Sequence, residues 1–399
     1  MYIRQNYLDR IVPYVDKPLI KVISGMRRTG KSTILQLIIE NLAEKGIDQR
    51  RVVYINMESM DNAHFCDPYL LHTYIKKQKN AVGEKLYLFI DEIQEIPGWE
   101  RVINSFLADD DADIFITGSN SKLLAGDLAD LLTGRYIEIP VYPLVLSEFA
   151  YFRHGKTAGD NLFDEFLRVG GMPGIHHLDF QEPWIYQYLT AVRDSVILKD
   201  VIKRNNIRNI ALLEKIVLFV FHNIGNIISA RKIADYFKKD LRPLGHETVY
   251  NYLRYLEEAC IINKVSRFDI KGKKLLEVSE KYYLTDIGLG HTFSGYKDSM
   301  ISAYLENIVF IELMHRGYEL SIGKIDNFEI DFIARRRSDT LYIQVSYLLA
   351  DETVRERELR PFYAVKDNYP KLLLTMDKLP KSSEDGIIRQ YLPDWLLNT

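Results

Sequence analysis

The segment between Leu19 and Ile39 constrains the fold of this chain more than any other part of the sequence. It starts as an apolar run rich in β-branched residues and passes through a loop of the pattern G-x-x-x-x-G-K-[ST] from Gly25 to Ser32. It then continues as an apolar stretch typical of a helix. Glycines let such a loop turn tightly near an anion, and the N–H groups at the start of the helix point their positive ends at it. The segment therefore predicts a strand, a phosphate-binding loop and a helix.

The side chains of this loop have distinct expected roles. The Lys31 ammonium can neutralise β- and γ-phosphate oxygens, and the Ser32 hydroxyl is a natural ligand for Mg²⁺. A glycine turn followed by a surface lysine is the alternative interpretation, but the flanking strand and helix disfavour it. The candidate nucleotide-binding residues are Gly25, Arg27, Arg28, Thr29, Gly30, Lys31, Ser32 and Thr33.

An almost wholly apolar strand over residues 86–92 ends in two carboxylates, Asp91 and Glu92. Such strands, separated by helices, indicate a parallel sheet covered on both faces, in which ligands bind at the carboxyl ends of the strands. Asp91 is the expected partner of Mg²⁺, through its hydration shell and opposite Ser32. Glu92 is the expected general base that accepts a proton from an attacking water. A solvated acidic turn is the alternative.

Two further polar sites belong to the same edge of the predicted sheet. Residues 113–120 form a strand that is expected beside the phosphate loop, and Asn120, Ser119 or Thr117 can orient the attacking water with Glu92. A turn-forming Ser-Asn pair is the alternative. Arg135, at the start of the last strand, can stabilise phosphate charge in cis or from a neighbouring subunit, and an ordinary surface arginine is equally compatible with its position.

Composition limits the class of protein. The chain has 399 residues, which suffice for two or three domains, and its formal net charge of −3 restricts any nucleic-acid surface to a local patch. Cys66 and Cys260 are the two cysteines, and they suggest free thiols rather than a disulfide framework or a zinc site. No apolar run approaches the roughly 20 residues of a membrane span, and the N-terminus lacks the apolar core of a signal peptide. The expected location is the cytoplasm.

Two other nucleotide-binding classes fit less well. A GTPase usually reads guanine with Asn-Lys-x-Asp, whereas the nearest match here, residues 263–266, lacks the Asp and lies far downstream. A small-molecule kinase often lacks a strand-end Glu, because its acceptor replaces water. The position of Glu92 therefore favours hydrolysis.

These motifs resemble the AAA-type ATPases of the archaeal-ATPase-like prokaryotic group, in the branch that carries a C-terminal domain of unknown function. The resemblance covers nearly the whole chain, and its early motifs are the specific ones. It implies that the protein binds ATP with Mg²⁺ and often assembles through neighbouring protomers. It also implies an extra strand in the sheet, between the strand that precedes the phosphate loop and the strand that ends in Asp91. It implies no particular cellular task. The matching segments are residues 25–32, 89–94, 98–100, 116–121, 134–136, 143–144 and, more loosely, 169–174.

The middle of the chain predicts helices and then a change of pattern. Residues 144–209 suit a helical lid or connector, whereas residues 210–290 have the helix, helix-turn-helix and hairpin order of a winged helix. Between residues 229 and 281 basic residues outnumber acidic ones by four, so DNA is a candidate partner there. Acidic residues on the third helix oppose that interpretation, and a protein–protein or interdomain module is the alternative.

The C-terminal part, residues 291–399, resembles the core of the PD-(D/E)xK nucleases. That resemblance places Glu306, Asp331 and Gln344 at the positions of metal ligands and Ser346 at the position of the lysine that activates water. Glutamine is a neutral ligand and serine is a poor substitute for an ammonium, so a scaffold that makes contacts is expected rather than cleavage. A helix and a final strand, through residues 394–395, are expected to complete this domain.

Together these patterns predict an α/β chain. It would consist of a P-loop domain with helices on both faces of a parallel sheet (1–143), a helical lid (144–209), a winged-helix-like module (210–290) and a small α+β nuclease-like domain (291–399). The leading hypothesis is a Mg²⁺-dependent ATPase whose turnover drives or switches the C-terminal domains, alone or with a protein partner or further copies of the chain. The second is an ATP-switched regulatory protein that binds DNA or protein, and the third, disfavoured by Ser346, is a metal-dependent nuclease.

Overall fold

The computed structural model describes residues 3–119, 132, 134–154, 161–237, 245–378 and 380–398. The chain divides into two compact units. The first comprises Met1–Val141 with Glu258–Cys260, and the second comprises Tyr142–Glu257 with Ile261–Thr399.

A parallel sheet forms the centre of the first unit. Its strand order is β2-β3-β4-β1-β5 and every neighbouring pair is parallel. The predicted extra strand is therefore confirmed, because β4 lies between the strand that precedes the phosphate loop and the strand that ends in Asp91. Its strands are β1 (Ile20–Ser24), β2 (Val52–Asn56), β3 (Leu86–Asp91), β4 (Ala112–Gly118) and β5 (Tyr136–Pro140).

Helices cover both faces of this sheet, as the apolar strands predict. Alternate residues of a strand point to opposite faces, and Val22 and Ile23 accordingly belong to two different buried clusters. The Val22 face packs against α3 and α4, whereas the Ile23 face packs against α1 and α2. These helices are α1 (Gln5–Ile11), α2 (Lys31–Glu44), α3 (Pro68–Val82) and α4 (Trp99–Ala108).

The second unit begins with helices. None of the described helices of the chain is long and apolar enough to cross a bilayer. The first three are α5 (Leu146–His154), α6 (Leu162–Val169) and α7 (Glu182–Val196), and α7 continues as a π-helical stretch, Ile197–Lys203. The later ones are α8 (Ile210–His222), α9 (Ala230–Phe237), α10 (His246–Glu258), α11 (Ile287–Ser294), α12 (Ile301–His315), α13 (Glu352–Ala364) and α14 (Leu392–Leu397).

A mixed sheet of nine described strands runs through the second unit in the order β13-β14-β12-β11-β10-β9-β7-β8-β6. The antiparallel hairpin of β7 and β8 joins it because β7 pairs in parallel with β9. Its strands are β6 (Ile227–Ile228), β7 (Ile262–Asp269), β8 (Lys274–Leu284), β9 (Glu319–Ile325), β10 (Phe328–Arg336), β11 (Asp339–Ser346), β12 (Lys371–Thr375), β13 (Ser382–Glu384) and β14 (Ile387–Tyr391).

The continuity of this sheet bears on the predicted boundary near residue 290. The described residues between 210 and 284 form three helices and a hairpin in the predicted order, with a short unpredicted strand, β6, after the first helix. The Ser229 hydroxyl accepts a hydrogen bond from the Lys232 N–H at 3.2 Å as a helix cap. The hairpin of β7 and β8 nevertheless pairs with β9, which lies in residues 291–399, the segment predicted to be nuclease-like. The winged-helix assignment and the four domain boundaries stay predictions.

The end of the chain differs from its prediction. After β12 the structure has a hairpin, β13 and β14, and then α14, so a final strand is present but residues 394–395 lie in a helix that follows it. Asp385 and Gly386 connect the hairpin, and both have positive φ, 51° and 75°. An Asp-Gly pair between short extended segments is a strong hairpin signal, and the sequence prediction overlooked it.

An ion pair is buried within the first unit. Lys21 of β1 and Asp113 of β4 are 0% and 1% exposed, and the ammonium donates a hydrogen bond to the carboxylate. The Asp16 N–H donates to the other Asp113 oxygen at 2.9 Å, and Lys21 also donates to the Leu19 carbonyl at 3.0 Å. Because both charges are withdrawn from water, each depends on the other.

We expect Asp113→Ala to destabilise β1 and β4 by about 3–5 kcal/mol, because the substitution leaves the Lys21 ammonium buried without its carboxylate. Hydrogen exchange of peptides from these two strands in the full chain measures the loss. The control is Asp110→Asn, which removes the charge of a largely exposed partner of Lys85, keeps a residue that tolerates the φ of 52°, and should cost about 1 kcal/mol or less. Equal losses from the two substitutions would contradict the expectation.

Candidate functional site

Two glycines give the loop between β1 and α2 backbone conformations that other residues rarely adopt. Gly25 has a φ of +142°, and a Cβ at this position would lie 2.3 Å from the Val141 carbonyl oxygen. Gly30, immediately before α2, has a φ of +97°, and Arg28 is also left-handed at +68°. These conformations turn the chain sharply back into α2, whose first N–H groups have no partner within the helix. The result is the strand, loop and helix that the motif predicts, and anion binding by this loop stays a prediction.

Lys31 lies inside this loop. Its side chain is buried, and its ammonium donates a hydrogen bond to the Met26 carbonyl at 3.1 Å. The Thr29 hydroxyl donates to the same carbonyl at 2.9 Å. The Lys31 Nζ is also 3.5 Å from Glu92 Oε1, so the lysine of the loop faces the carboxylate at the end of β3.

One hydroxyl on β4 connects the Asp91 carboxylate to the backbone of Glu92. Thr117 Oγ1 donates a hydrogen bond to Asp91 Oδ1 and accepts one from the Glu92 N–H at 2.8 Å. The Tyr54 hydroxyl, on the other neighbouring strand, donates to Asp91 Oδ2 at 3.1 Å. Burial and the nearby Asp91 charge raise the pKa of Tyr54 to about 12, so its hydroxyl stays a donor. Asp91 is therefore held from both sides of β3.

Glu92 occupies a left-handed conformation, with a φ of 57°, and its carboxylate is buried among cations. Burial by itself raises its pKa, but the positive charges of Lys31 and Arg27 outweigh that effect and hold the pKa below its ordinary value. The Gln94 amide donates a further hydrogen bond to Glu92 Oε2. The side chain is thus ionised at neutral pH, as a proton acceptor requires.

The other predicted residues of the loop differ in their exposure. The Arg27 guanidinium lies 2.9 Å from Glu58 and 4.0 Å from Glu92, so it joins the loop to two carboxylates. Arg28 and Ser32 are exposed, and Thr33 is half-buried in the first turn of α2.

Two further predicted catalytic residues are Asn120 and Arg135. Asn120 is outside the described residues. Arg135 is exposed immediately before β5, where its carbonyl accepts a hydrogen bond from the Ile20 N–H at 2.9 Å. Ser119, which follows the end of β4 and is the alternative to Asn120 and Thr117, is buried, and its hydroxyl oxygen lies 3.4 Å from the Gln94 amide nitrogen. Their roles stay predictions.

Three residues of the site were missed in the sequence. Arg4, before α1, is buried and donates a hydrogen bond to the Thr29 carbonyl of the loop at 3.1 Å, although 25 residues separate them. Tyr54 and Gln94 contact the two β3 carboxylates. Tyr54 had a weak signal, a hydroxyl near the end of an apolar strand, whereas nothing in the pattern around Arg4 indicates its contact.

The donor set at this edge fits Mg²⁺. A carboxylate, Asp91, and a hydroxyl, Ser32, are hard oxygen ligands, and Mg²⁺ usually takes one or two protein ligands together with water and substrate phosphates. No group of three or more His, Cys, Asp or Glu side chains that could hold a metal by themselves occurs among the described residues. The residues present therefore suit a cation that enters with a nucleotide.

Comparisons with known proteins extend over both units. A family described as an AAA domain matches residues 17–150, and a family described as a domain of unknown function matches residues 160–299. An uncharacterized protein of Haemophilus influenzae is 37% identical over 400 residues, which are 100% of this chain and 99% of the relative. The uncharacterized protein MJ1544 of Methanocaldococcus jannaschii is 32% identical over 368 residues, 87% of this chain and 79% of that protein.

A solved structure, the Walker-type ATPase PABY2304 of Pyrococcus abyssi, is similar with a TM-score of 0.49 and 14% sequence identity. The match covers 73% of this chain and 95% of that one.

We expect Gly25→Ala to weaken nucleotide binding at least about tenfold, because the new Cβ would collide with the Val141 carbonyl and displace the loop. Titration with a fluorescent ATP analogue measures the change. Gly46→Ala is the matched control: Gly46 has a φ of +81° but nothing within 4 Å of the added Cβ, so it should cost stability alone, about 1 kcal/mol. Unchanged affinity in Gly25→Ala would count against this loop as the site.

Proposed function

Because the chain belongs to the AAA-domain family of P-loop proteins, we propose that it hydrolyses ATP to ADP and phosphate in a Mg²⁺-dependent reaction. One observation carries the proposal. The buried and ionised carboxylate of Glu92 lies 3.5 Å from the ammonium of Lys31 in the phosphate loop. A general base beside a phosphate-binding lysine is the arrangement that attack of water on a γ-phosphate requires.

In this proposal the side chains divide the work. The loop N–H groups and Lys31 hold the phosphates of ATP, and Lys31 neutralises the negative charge that is shared among the γ-phosphate oxygens. Glu92 accepts a proton from the water that attacks the γ-phosphorus, while ADP leaves. Ser32 and Asp91 would hold Mg²⁺, which supplies further neutralisation of phosphate charge when bound.

Thr117 acts on the reaction through the two carboxylates. Its hydroxyl bonds to the Asp91 side chain and the Glu92 backbone at once, so it fixes their relative orientation. Such supporting hydrogen bonds hold a base and a metal ligand in register with the substrate. We infer that Thr117 is a positioning residue.

We also propose that turnover drives or switches residues 142–399. The support is that the Haemophilus influenzae and Methanocaldococcus jannaschii relatives align with the AAA-domain region together with much of the remaining chain. Because the two parts occur together in these relatives, one coupled function suits them better than two independent functions.

The nucleic-acid alternative receives less support from the contacts. Lys271, on the predicted phosphate-contacting loop between β7 and β8, lies 2.6 Å from Asp326 Oδ2. Its charge is therefore already paired with the turn between β9 and β10. DNA binding through residues 229–281 stays a prediction, and we do not extend the proposal to it.

We expect Glu92→Gln to retain ATP binding and to lower steady-state hydrolysis by about 10²–10⁴-fold, because an amide cannot accept the proton of the attacking water. Release of phosphate under multiple turnover, together with titration of the ATP analogue, separates the two effects.

The matched control for that substitution is Glu95→Gln. Glu95 lies 3.9 Å from the same Arg27 but is half-exposed, so its loss should leave hydrolysis within about threefold of wild type. The proposed role of Glu92 would be wrong if its glutamine variant turned over ATP at the rate of the control.

We expect Thr117→Val to lower kcat by about 10–100-fold with little change in KM, because valine keeps the shape of threonine and removes the hydroxyl that holds the Asp91 carboxylate and the Glu92 backbone N–H. Thr117→Ser, which keeps the hydroxyl, should restore most of the rate. A purely structural role would instead predict that both variants lose stability and rate in parallel.

A further inference from the structure

The second unit contains a cluster of opposite charges that the proposed ATPase reaction does not use. The Lys281 ammonium, on β8, lies 2.9 Å from Glu306 Oε1 of α12. It also lies 2.8 Å from Glu329 Oε1 and 3.8 Å from Asp331 Oδ1, both of β10. One cation thus faces three carboxylates that come from two separate elements.

Lys281 and Asp331 are buried, Glu306 and Glu329 are partly buried, and the members of the cluster have further partners. The Lys281 side chain is 4% exposed. The Tyr283 hydroxyl donates to Glu306 Oε1 at 2.6 Å, and the Val345 N–H donates to Asp331 Oδ2 at 2.9 Å. A buried ammonium needs such compensation.

Glu306 and Asp331 are the residues that the nuclease resemblance assigns to a divalent metal. A metal ion binds where carboxylate oxygens converge, and that place is taken by the Lys281 ammonium. Two cations about 3 Å apart repel strongly in a poorly hydrated site.

The third expected ligand is also committed elsewhere. Gln344 Oε1 accepts a hydrogen bond from the Asp331 N–H at 3.3 Å, and its amide nitrogen donates to Glu358 at 3.1 Å. Its carbonyl oxygen therefore serves the backbone of β10. The residues present do not fit the metal that the resemblance implies.

We propose that Lys281 occupies the cation position of this cluster, so that the nuclease-like fold here is a metal-independent scaffold that ties the β7–β8 hairpin to α12 and β10. The three carboxylates keep the electrostatic requirement for a cation, and the chain supplies that cation itself. The inference is independent of the proposed ATPase reaction, because every contact that carries it lies in the second unit.

The first experiment uses the wild-type full chain without nucleotide. Titration with Mn²⁺, followed by the electron paramagnetic resonance signal of the free ion, should reveal no site that is lost on Asp331→Asn. The melting temperature should be the same in EDTA and in Mn²⁺. A wild-type site that Asp331→Asn abolishes would overturn the proposal, and so would cleavage of plasmid DNA in Mn²⁺ that the same substitution removes.

The second experiment removes the internal cation. Lys281→Ala should lower the melting temperature by several degrees, because the buried Asp331 and the partly buried Glu306 and Glu329 lose the ammonium that they share. Mn²⁺ should restore part of that loss and bind at about one ion per chain, since carboxylates are ligands that Mn²⁺ accepts. The double variant Lys281→Ala/Asp331→Asn should bind at least about tenfold more weakly, because the ion has then lost one of its charged ligands.

The remaining outcomes also decide the question. If Lys281→Ala is folded and neither binds Mn²⁺ nor is stabilised by it, the ammonium does not stand in a cation site and the proposal is wrong. If Lys281→Ala does not fold without metal, Lys281→Gln, which keeps the length of a polar side chain, replaces it in the same titration. The wild-type titration decides the matter even if both variants are unfolded.

Discussion

The attraction between Lys31 and Glu92 is the interaction on which the proposed chemistry depends. Each residue ends up at the carboxyl edge of the parallel sheet because β1 and β3 run in the same direction, with β4 between them. The strand between them also carries Thr117, whose hydroxyl bonds to the Asp91 carboxylate and to the Glu92 backbone N–H. The parallel sheet therefore brings Lys31, Glu92 and Thr117 together at one edge.

The same pairing explains why the site can be electrostatically stable without a substrate. Buried carboxylates are costly unless cations accompany them, and Glu92 has both Lys31 and Arg27 within 4.0 Å. A triphosphate that enters the loop brings negative charge to Lys31 and so competes with Glu92 for it. That competition would free the carboxylate to act on water in the proposed reaction.

The two units use one physical device to different ends. In the first, a lysine from a glycine-bounded loop faces a carboxylate at a sheet edge. In the second, the buried Lys281 faces three carboxylates, one from α12 and two from β10. An ammonium with three acidic neighbours has little remaining attraction for an anionic ligand, so the same chemistry serves cohesion there.

Sequence patterns were sufficient to predict those features of the fold that depend on residues close together in the chain. The strand–loop–helix around Gly25, the apolar strand before Asp91 and the parallel sheet follow from periodicity and composition, because those signals lie within short windows. Tertiary structure alone decided which distant residues meet: Arg4 reaches the Thr29 carbonyl, and Lys281 reaches Asp331. The reason is that a buried charge takes whatever partner the fold brings within a few ångströms, and sequence spacing carries no record of that distance.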